Sequence, residues 1–147
     1  MPLEGERGYH VILPNPGITL KTAVFAATSK FVATPVEAGI KFAGTSEFSG
    51  LDAPPNGARA RILVAHARRM FPGIDTAGIA EWSGLRPTLP DSLPVIGPSP
   101  VFENVYFAFG HQHIGLTGGP RTGRLIADLV AGRTPNIDIR PFRADRF

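Results

Sequence analysis

Residues 104–132, NVYFAFGHQHIGLTGGPRTGRLIADLVAG, decide the class of fold to which this chain belongs. The run VYFAF at 105–109 is continuously apolar and of strand length, which is typical of a strand covered on both faces. A loop rich in glycine and histidine follows, and Pro120 suits the first turn of a helix that has one apolar face. Such a unit normally belongs to a larger α/β sheet, yet the chain holds only one.

The residues before this unit predict an antiparallel sheet with one helix. A strand at 9–13 ends at the turn sequence PNPG, and residues 31–43 are typical of a hairpin that turns at 37–39. Asn56 suits the N-cap of a helix that ends before Pro72. The apolar face predicted for this helix consists of Ile62, Leu63, His66, Met70 and Phe71. The proline-rich stretch 84–100 is expected to be an irregular connector, and the whole to be an α+β fold.

Composition excludes several classes of function. The chain has 147 residues, with 15 basic and 12 acidic side chains and a formal net charge of +3. Its densest basic cluster lies on the predicted helix and is interpreted as a solvated face, so no nucleic-acid partner is expected. This cluster is Arg59, Arg61, Arg68 and Arg69. The absence of cysteine excludes disulfides, thiolate catalysis and cysteine zinc sites. No apolar run approaches the roughly 20 residues of a membrane span.

The stretch FGHQHIGLTGGP at 109–120 carries two incomplete motifs. His111 and His113 could share a zinc ion only if further ligands joined them, and none lies within the loop, so no metal is expected. The glycine spacing fits neither dinucleotide nor P-loop fingerprints. Two interpretations of the glycines stay open at this point. They permit the backbone to lie against a flat ligand, or they permit close packing of strand and helix.

Arg86 is the clearest candidate for binding an anion. Gly84 and Pro87 flank the Leu85-Arg86 pair, and a guanidinium on a stiff segment suits bidentate contact with a carboxylate or phosphate. Asp91 is an alternative, internal partner for this guanidinium. The residues alone do not decide between these two possibilities.

The sequences GLRPTLPDSLPVIG at 84–97 and NVYFAFGHQHIGLTGGPRTGRLIADLVAGRTPNID at 104–138 resemble the C-terminal part of the D-amino-acid oxidase-type FAD-dependent oxidoreductases. The likeness is to the D-amino-acid dehydrogenase and glycine oxidase group. Its elements are G-[LF]-R-P, P-D-x-x-P-x-I-G, G-H-x-x-x-G and a closing helix L-I-x-D-L-[IV]-x-G, in family order. The segments GYHVILP, KFVATPVEAGIKFAGTSEFSG and ARRMFPG extend the resemblance upstream over nearly the whole chain.

The resemblance implies a domain division and explains the single strand–loop–helix unit. Residues 1–100 are similar to part of a substrate-binding domain, and residues 101–147 to the C-terminal segment of an FAD-binding α/β domain. The family's N-terminal G-x-G-x-x-G segment has no counterpart here, so we expect a C-terminal fragment. FAD is then expected in the full-length protein, whereas the isolated chain is expected neither to bind FAD tightly nor to turn over substrate.

The resemblance also implies roles for individual residues. Arg86 would bind the substrate carboxylate, with Tyr9 and His113 as further substrate contacts. The residues implied to line the flavin are Gly84, Leu85, Gly110, His111, Gln112, Ile114, Gly115, Leu116 and Thr117. Family chemistry is hydride transfer from the substrate α-carbon to the flavin, which requires no strong protein base.

The expected partners follow from this resemblance and from the apolar run. A small amino acid or amine is the expected substrate, and a homo-oligomer is expected to form through apolar surface left exposed around VYFAF. The alternative function is a non-catalytic, self-associating α+β module without cofactor. We expect a cytoplasmic protein, with peripheral contact of the parent enzyme with the inner membrane as the alternative location.

Overall fold

A computed structural model describes all residues, 1–147, and divides the chain into two compact units. The terminal unit comprises Met1–Glu6 and Arg86–Phe147, and the central unit comprises Arg7–Leu85. These boundaries differ from the division at residue 100 that the resemblance implies. The functional assignment of the two expected domains therefore stays a prediction.

The chain forms seven strands, two α-helices and one short 3-10 turn. They are β1 (Glu4–Leu13), β2 (Val24–Ala26), β3 (Phe31–Val36), β4 (Gly39–Phe48), α1 (Gly57–Met70), β5 (Ala80–Thr88), β6 (Val95–Pro98), β7 (Tyr106–Phe109), α2 (Gly115–Val130) and the turn Arg140–Phe142. One sheet has the order β2-β3-β4-β1-β5, and β6 and β7 form a second, antiparallel sheet. The predicted α+β class is confirmed. Neither helix is both long and apolar enough to cross a bilayer.

The core of the central unit lies between α1 and one face of the larger sheet. Its buried residues come from alternate positions of the strands and from one side of the helix, as the two periodicities require. They are Tyr9, Val11, Leu13, Phe31, Ala33, Ile40, Phe42, Ala60, Leu63 and Ala67, and Ile74 from the segment after α1 joins them. The predicted β3–β4 hairpin is confirmed, with Val36 opposite Gly39. A Cβ on Gly39 would lie 2.1 Å from the carbonyl oxygen of Leu13, so this turn admits only glycine.

Helix α1 has the predicted bounds, and its predicted face is correct except at Ile62, since Leu63 is buried, His66 stacks on Phe31, and Met70 and Phe71 pack against the core. Asn56 caps it, with Oδ1 accepting the N–H of Ala58 at 3.0 Å. Ile62 is 42% exposed, whereas Ala60, Leu63 and Ala67 are buried. The small alanines let the helix approach the sheet closely, so the contact line runs through them and turns Ile62 toward solvent.

The terminal unit packs α2 against the β6–β7 sheet around Leu89, Val95, Ile96 and Leu125. Only residues 106–109 of the apolar run form a strand, and all of them keep exposed surface. The expectation of a strand covered on both faces is therefore wrong for this chain. Loop residues Val101 and Phe102 are 75% and 61% exposed.

Two further expectations are corrected around the prolines. Helix α2 begins at Gly115, so Pro120 lies inside it. The missing N–H removes only the bond to the carbonyl of Leu116, while the first turn is still closed by the Gly118 N–H and the Ile114 carbonyl at 2.8 Å. The stretch 84–100 is not wholly irregular, because β5 continues through Pro87. Because β5 is an edge strand, its open side has no partner strand, and the missing backbone N–H of Pro87 breaks no hydrogen bond there.

Candidate functional site

Arg86 lies on β5 and has no hydrogen-bonded partner within the chain. Its Nη1 is 4.0 Å from Oε1 of Glu6, which is too long for a hydrogen bond. Glu6 accepts a hydrogen bond from the Thr88 hydroxyl at 3.0 Å instead. The Arg86 side chain is 30% exposed, and its guanidinium N–H groups are not satisfied by any hydrogen bond within the chain.

Asp91 does not fill the role of internal partner to Arg86. Arg146 donates to both of its carboxylate oxygens, from Nε at 2.7 Å and from Nη2 at 3.1 Å, and also donates to the carbonyl of Leu93 at 2.7 Å. These hydrogen bonds hold the pKa of Asp91 below its usual range. The C-terminal residues are thereby docked, and the alternative of an Arg86–Asp91 pair is wrong.

Residues 110–117 connect β7 to α2 and are tied to the end of β5. The backbone N–H of Gln112 donates to the carbonyl of Pro87 at 3.3 Å, and its side-chain amide donates to that of Leu89 at 3.3 Å. Gly110 has φ +81°, and a Cβ there would lie 2.8 Å from Cδ1 of Leu89. The glycine therefore serves packing within the chain. The hydrogen bond to Pro87 brings this segment beside the residue that follows Arg86.

The two histidines of this segment have different surroundings. Nε2 of His111 lies 2.8 Å from the hydroxyl of Thr122 on α2, which orients the half-buried ring. His113 is exposed in a turn. No group of three or more His, Cys, Asp or Glu side chains in the chain could hold a metal ion.

The first turn of α2 presents free backbone donors. Ile114, its N-cap, makes no side-chain hydrogen bond, and no acidic residue lies in the turn. The amides of Gly115, Leu116 and Thr117 donate to no group of the chain. Leu116 is 96% exposed and Ile114 is 51% exposed. The helix start thus combines positive electrostatic potential with an uncovered apolar surface.

In the central unit, Tyr9 is buried and its hydroxyl is engaged on both sides. The hydroxyl donates to the Glu47 carboxylate and accepts the N–H of Asn56 at 2.7 Å. Glu47 in turn lies 3.5 Å from Nε of Arg59. Burial first, and then the bond to Glu47, raise the pKa of Tyr9. These contacts favour a positioning role for Tyr9 at the start of α1.

Tyr9 also borders a pocket of about 300 Å³ in the central unit. The pocket is lined by Tyr9, Pro55, Gly57, Ala60, Glu81, Trp82 and Ser83. Of the flavin-lining candidates, Leu85 is 42% exposed, whereas the space above Gly84 is filled by Trp82. Trp82 lines this pocket and was not among the residues that the sequence singled out.

The structure thus brings some predicted site residues together and separates others by unit. Arg86 and residues 110–117 belong to the terminal unit, where the Gln112–Pro87 bond joins their segments. Tyr9, Gly84 and Leu85 belong to the central unit. The predicted roles of all these residues stay predictions.

Comparison with known proteins identifies the family. Residues 1–129 match the family model described as FAD dependent oxidoreductase. The chain belongs to this family. This confirms the resemblance found in the motifs at 84–97 and 104–138.

Curated relatives in this family carry names of amino-acid oxidising enzymes. A D-amino-acid oxidase of Bradyrhizobium diazoefficiens is 44% identical over 100% of this chain and 36% of its own length. A D-amino acid dehydrogenase of Paramagnetospirillum magneticum is 36% identical over 100% of this chain and 35% of its own length. A glycine oxidase of Pseudomonas aeruginosa is 39% identical over 67% of this chain and 29% of its own. The chain therefore spans about a third of the length of the relatives it matches.

Solved structures agree on the fold of this chain. Glycine oxidase from Geobacillus kaustophilus superposes with a TM-score of 0.82 at 28% identity, covering 99% of this chain and 40% of that one. Iminodiacetate oxidase from Chelativorans sp. BNC1 superposes with a TM-score of 0.81 at 21% identity, covering 97% and 40%. The second likeness concerns the fold alone.

Proposed function

We propose that this chain supplies the substrate-carboxylate arginine and a flavin-facing surface of an enzyme that oxidises D-amino acids or related amines. The observation that carries the proposal is that the guanidinium of Arg86 makes no hydrogen bond within the chain and has only a long ion pair with Glu6. Its sequence neighbour Asp91 is bound by Arg146, and Glu6 is 4.0 Å away. The names of the relatives, D-amino-acid oxidase, D-amino acid dehydrogenase and glycine oxidase, support the substrate class.

Arg86 would bind the substrate carboxylate through two parallel N–H donors. A planar guanidinium matches a carboxylate in this geometry, and a lysine does not. Because a strand carries the residue, its backbone is held by the sheet and the bound carboxylate is oriented. Orientation of the carboxylate in turn fixes the position of the substrate α-carbon.

The first turn of α2 fits one end of a flavin. FAD, when bound, supplies the acceptor for the hydride that leaves the substrate α-carbon, and its pyrimidine end gains negative charge. The free amides of Gly115, Leu116 and Thr117, together with the helix dipole, would stabilise that charge. Exposed Ile114 and Leu116 would contribute apolar surface beside the ring. A Cβ on Gly119 would meet nothing within 4 Å, so the second turn is also open.

His113 and Tyr9 differ in how well they suit a substrate contact. His113 is exposed and can add a positive charge beside a carboxylate only in its protonated form. The hydroxyl of Tyr9 already donates to Glu47, so a substrate would have to compete for it. His113 is therefore retained in the proposal, and Tyr9 is assigned to positioning α1.

The test uses a chimera in which this chain replaces the matching segment of the B. diazoefficiens D-amino-acid oxidase. We expect bound flavin, seen in the absorption spectrum, and oxidation of D-amino acids. Arg86→Ala should lower kcat/KM by about a hundredfold or more through KM, because a paired charge is lost, and Arg86→Lys should restore it only in part.

Arg140→Ala is the matched control, since Arg140 is exposed and paired with Asp138. We expect its kinetics to equal those of the unaltered chimera. A flavin-loaded Arg86→Ala chimera with an unchanged KM would refute the assigned role of Arg86.

A second candidate function, a self-associating module without cofactor, is favoured by a different observation. Leu116, Val101 and Phe102 of the terminal unit are highly exposed, and uncovered apolar surface promotes association. Sedimentation of the chain with and without Leu116→Asp tests it. A monomer at all concentrations in both forms would rule this candidate out.

A further inference from the structure

The pocket of about 300 Å³ in the central unit holds polar groups that none of the roles above uses. All of its lining residues lie within Arg7–Leu85, so the pocket belongs to this unit alone. Glu81 and Ser83 line it from β5, where residues two apart project to the same side of the strand. Neither the carboxylate of Glu81 nor the hydroxyl of Ser83 has a hydrogen-bonded or ion-paired partner within the chain. The pocket therefore offers unpaired polar groups to a ligand.

A positive charge and a backbone donor lie beside the same pocket, at the start of α1. A Cβ on Gly57, which lines the pocket, would lie 3.4 Å from Nη1 of Arg61 and 4.0 Å from Oε2 of Glu81. The guanidinium and the carboxylate thus both approach Gly57, yet they form no ion pair with each other. The backbone N–H of Gly57 donates to no group of the chain, and no acidic residue lies in the first turn of α1. Two opposite charges therefore flank one small space.

The rest of the pocket wall is apolar and held in place. Pro55 and Ala60 line it from the segment before α1 and from α1 itself, and Trp82 lines it from β5. The ring of Trp82 stacks on His10, with ring centroids 4.8 Å apart and planes inclined by 18°. Pockets that bind small molecules combine such apolar walls with a few polar groups that orient the ligand.

We propose that this pocket binds a zwitterionic α-amino acid, at a site that does not include Arg86. The ammonium group of the ligand donates to the carboxylate of Glu81 and to the hydroxyl of Ser83. The carboxylate group of the ligand accepts from the guanidinium of Arg61 and from the N–H of Gly57. A ligand with one charge fits less well, because Glu81 repels an anion and Arg61 repels a cation. The inference goes beyond the proposed function, since the bound amino acid need not be oxidised.

The chain provides its own probe, because Trp82 is the only tryptophan and lines the pocket. Its fluorescence would be followed while the full chain is titrated with each enantiomer of leucine, with 3-methylbutylamine and with 4-methylpentanoate. The amine lacks the carboxylate of leucine, and the acid lacks its ammonium group. We expect a saturable change with leucine and about tenfold weaker binding of the other two compounds, because each loses one charge-assisted contact. An amine or acid that binds as tightly as leucine, or no saturable response to either enantiomer, would overturn the inference.

Variants that remove one charge identify the two contacts. Glu81→Gln should make leucine bind no more tightly than 4-methylpentanoate, and Arg61→Gln should make it bind no more tightly than 3-methylbutylamine. Glu37→Gln and Arg69→Gln are the matched controls, since both side chains are exposed and unpaired, and they should bind leucine as the parent does. Arg86→Ala should also leave leucine binding unchanged. If Arg86→Ala abolishes binding while Glu81→Gln and Arg61→Gln do not weaken it, the inference fails and the proposed role of Arg86 is supported instead.

Discussion

The hydroxyl of Tyr9 joins three parts of the central unit, and its removal should destabilise the fold. Tyr9 is on β1, Glu47 is on β4, and Asn56 is the N-cap of α1. Tyr9→Phe keeps the ring in the core and deletes only the oxygen. The substitution therefore removes one hydrogen bond to a carboxylate and one acceptor for a backbone amide, with no loss of apolar packing.

The expected cost follows from these two bonds. A lost bond to a charged group costs about 1.5–3 kcal/mol, and a lost neutral one costs about 0.5–1.5 kcal/mol. Glu47 keeps Arg59 at 3.5 Å, and exposed Asn56 can bond to water instead. We therefore expect the free energy of unfolding to fall by about 2 kcal/mol. For a chain of this size, the corresponding fall in Tm is about 4–8 °C.

Urea denaturation followed by circular dichroism would measure the change, which should appear in the midpoint with the slope unaltered. Tyr106→Phe is the matched control. Tyr106 is the other tyrosine of the chain, is half-buried, and makes no hydrogen bond within it. If both variants unfold at the same urea concentration as the parent, the assigned role of the Tyr9 hydroxyl is refuted.

Two further predictions concern the terminal unit. The folded-state pKa of Asp91 lies below that of the unfolded chain, so its pairing with Arg146 stabilises the fold above about pH 4 and this stabilisation is lost as pH falls through the lowered pKa. Asp91→Asn should lower the urea midpoint at pH 7 and flatten its acid dependence; a midpoint equal to the parent's at pH 7 would contradict this. Gly110→Ala should lower the free energy of unfolding by about 1–3 kcal/mol, because Gly110 has a positive φ and a Cβ there would contact Leu89. The loss should exceed that of Gly132→Ala, because Gly132 also has a positive φ but a Cβ there would contact nothing. If thermal unfolding shows the same loss of stability for Gly110→Ala and Gly132→Ala, the contact with Leu89 does not contribute.

Local patterns predicted the parts of the fold that short-range physics determines. The β3–β4 hairpin follows from its alternating pattern and from Gly39, and the start of α1 follows from Asn56. The start of α2 was placed too late because Pro120 suits a first turn. A proline inside a helix is tolerated where only one bond is lost, and packing of α2 on the β6–β7 sheet stabilises the extra turn.

The candidate site was likewise predicted from the sequence only in part. Arg86 was identified from its sequence neighbourhood, and ordered motifs identified the family. The choice between a ligand and Asp91 as partner of Arg86 was not available locally, because the competitor is Arg146, 55 residues beyond Asp91. The aromatic pair of His10 and Trp82 was missed because it depends on the pairing of two strands that are distant in sequence.

The sequence by itself determined the α+β class and the family and identified Arg86 as a candidate anion-binding residue, because these depend on composition, periodicity and motif order. Only the tertiary structure decided that Arg146 binds Asp91, that Tyr9 holds the start of α1, and that Gly84 accommodates Trp82. Each of these contacts joins side chains whose proximity is set by sheet order and helix packing. Residue type specifies what a group can bind, and the fold specifies which competing groups reach it first.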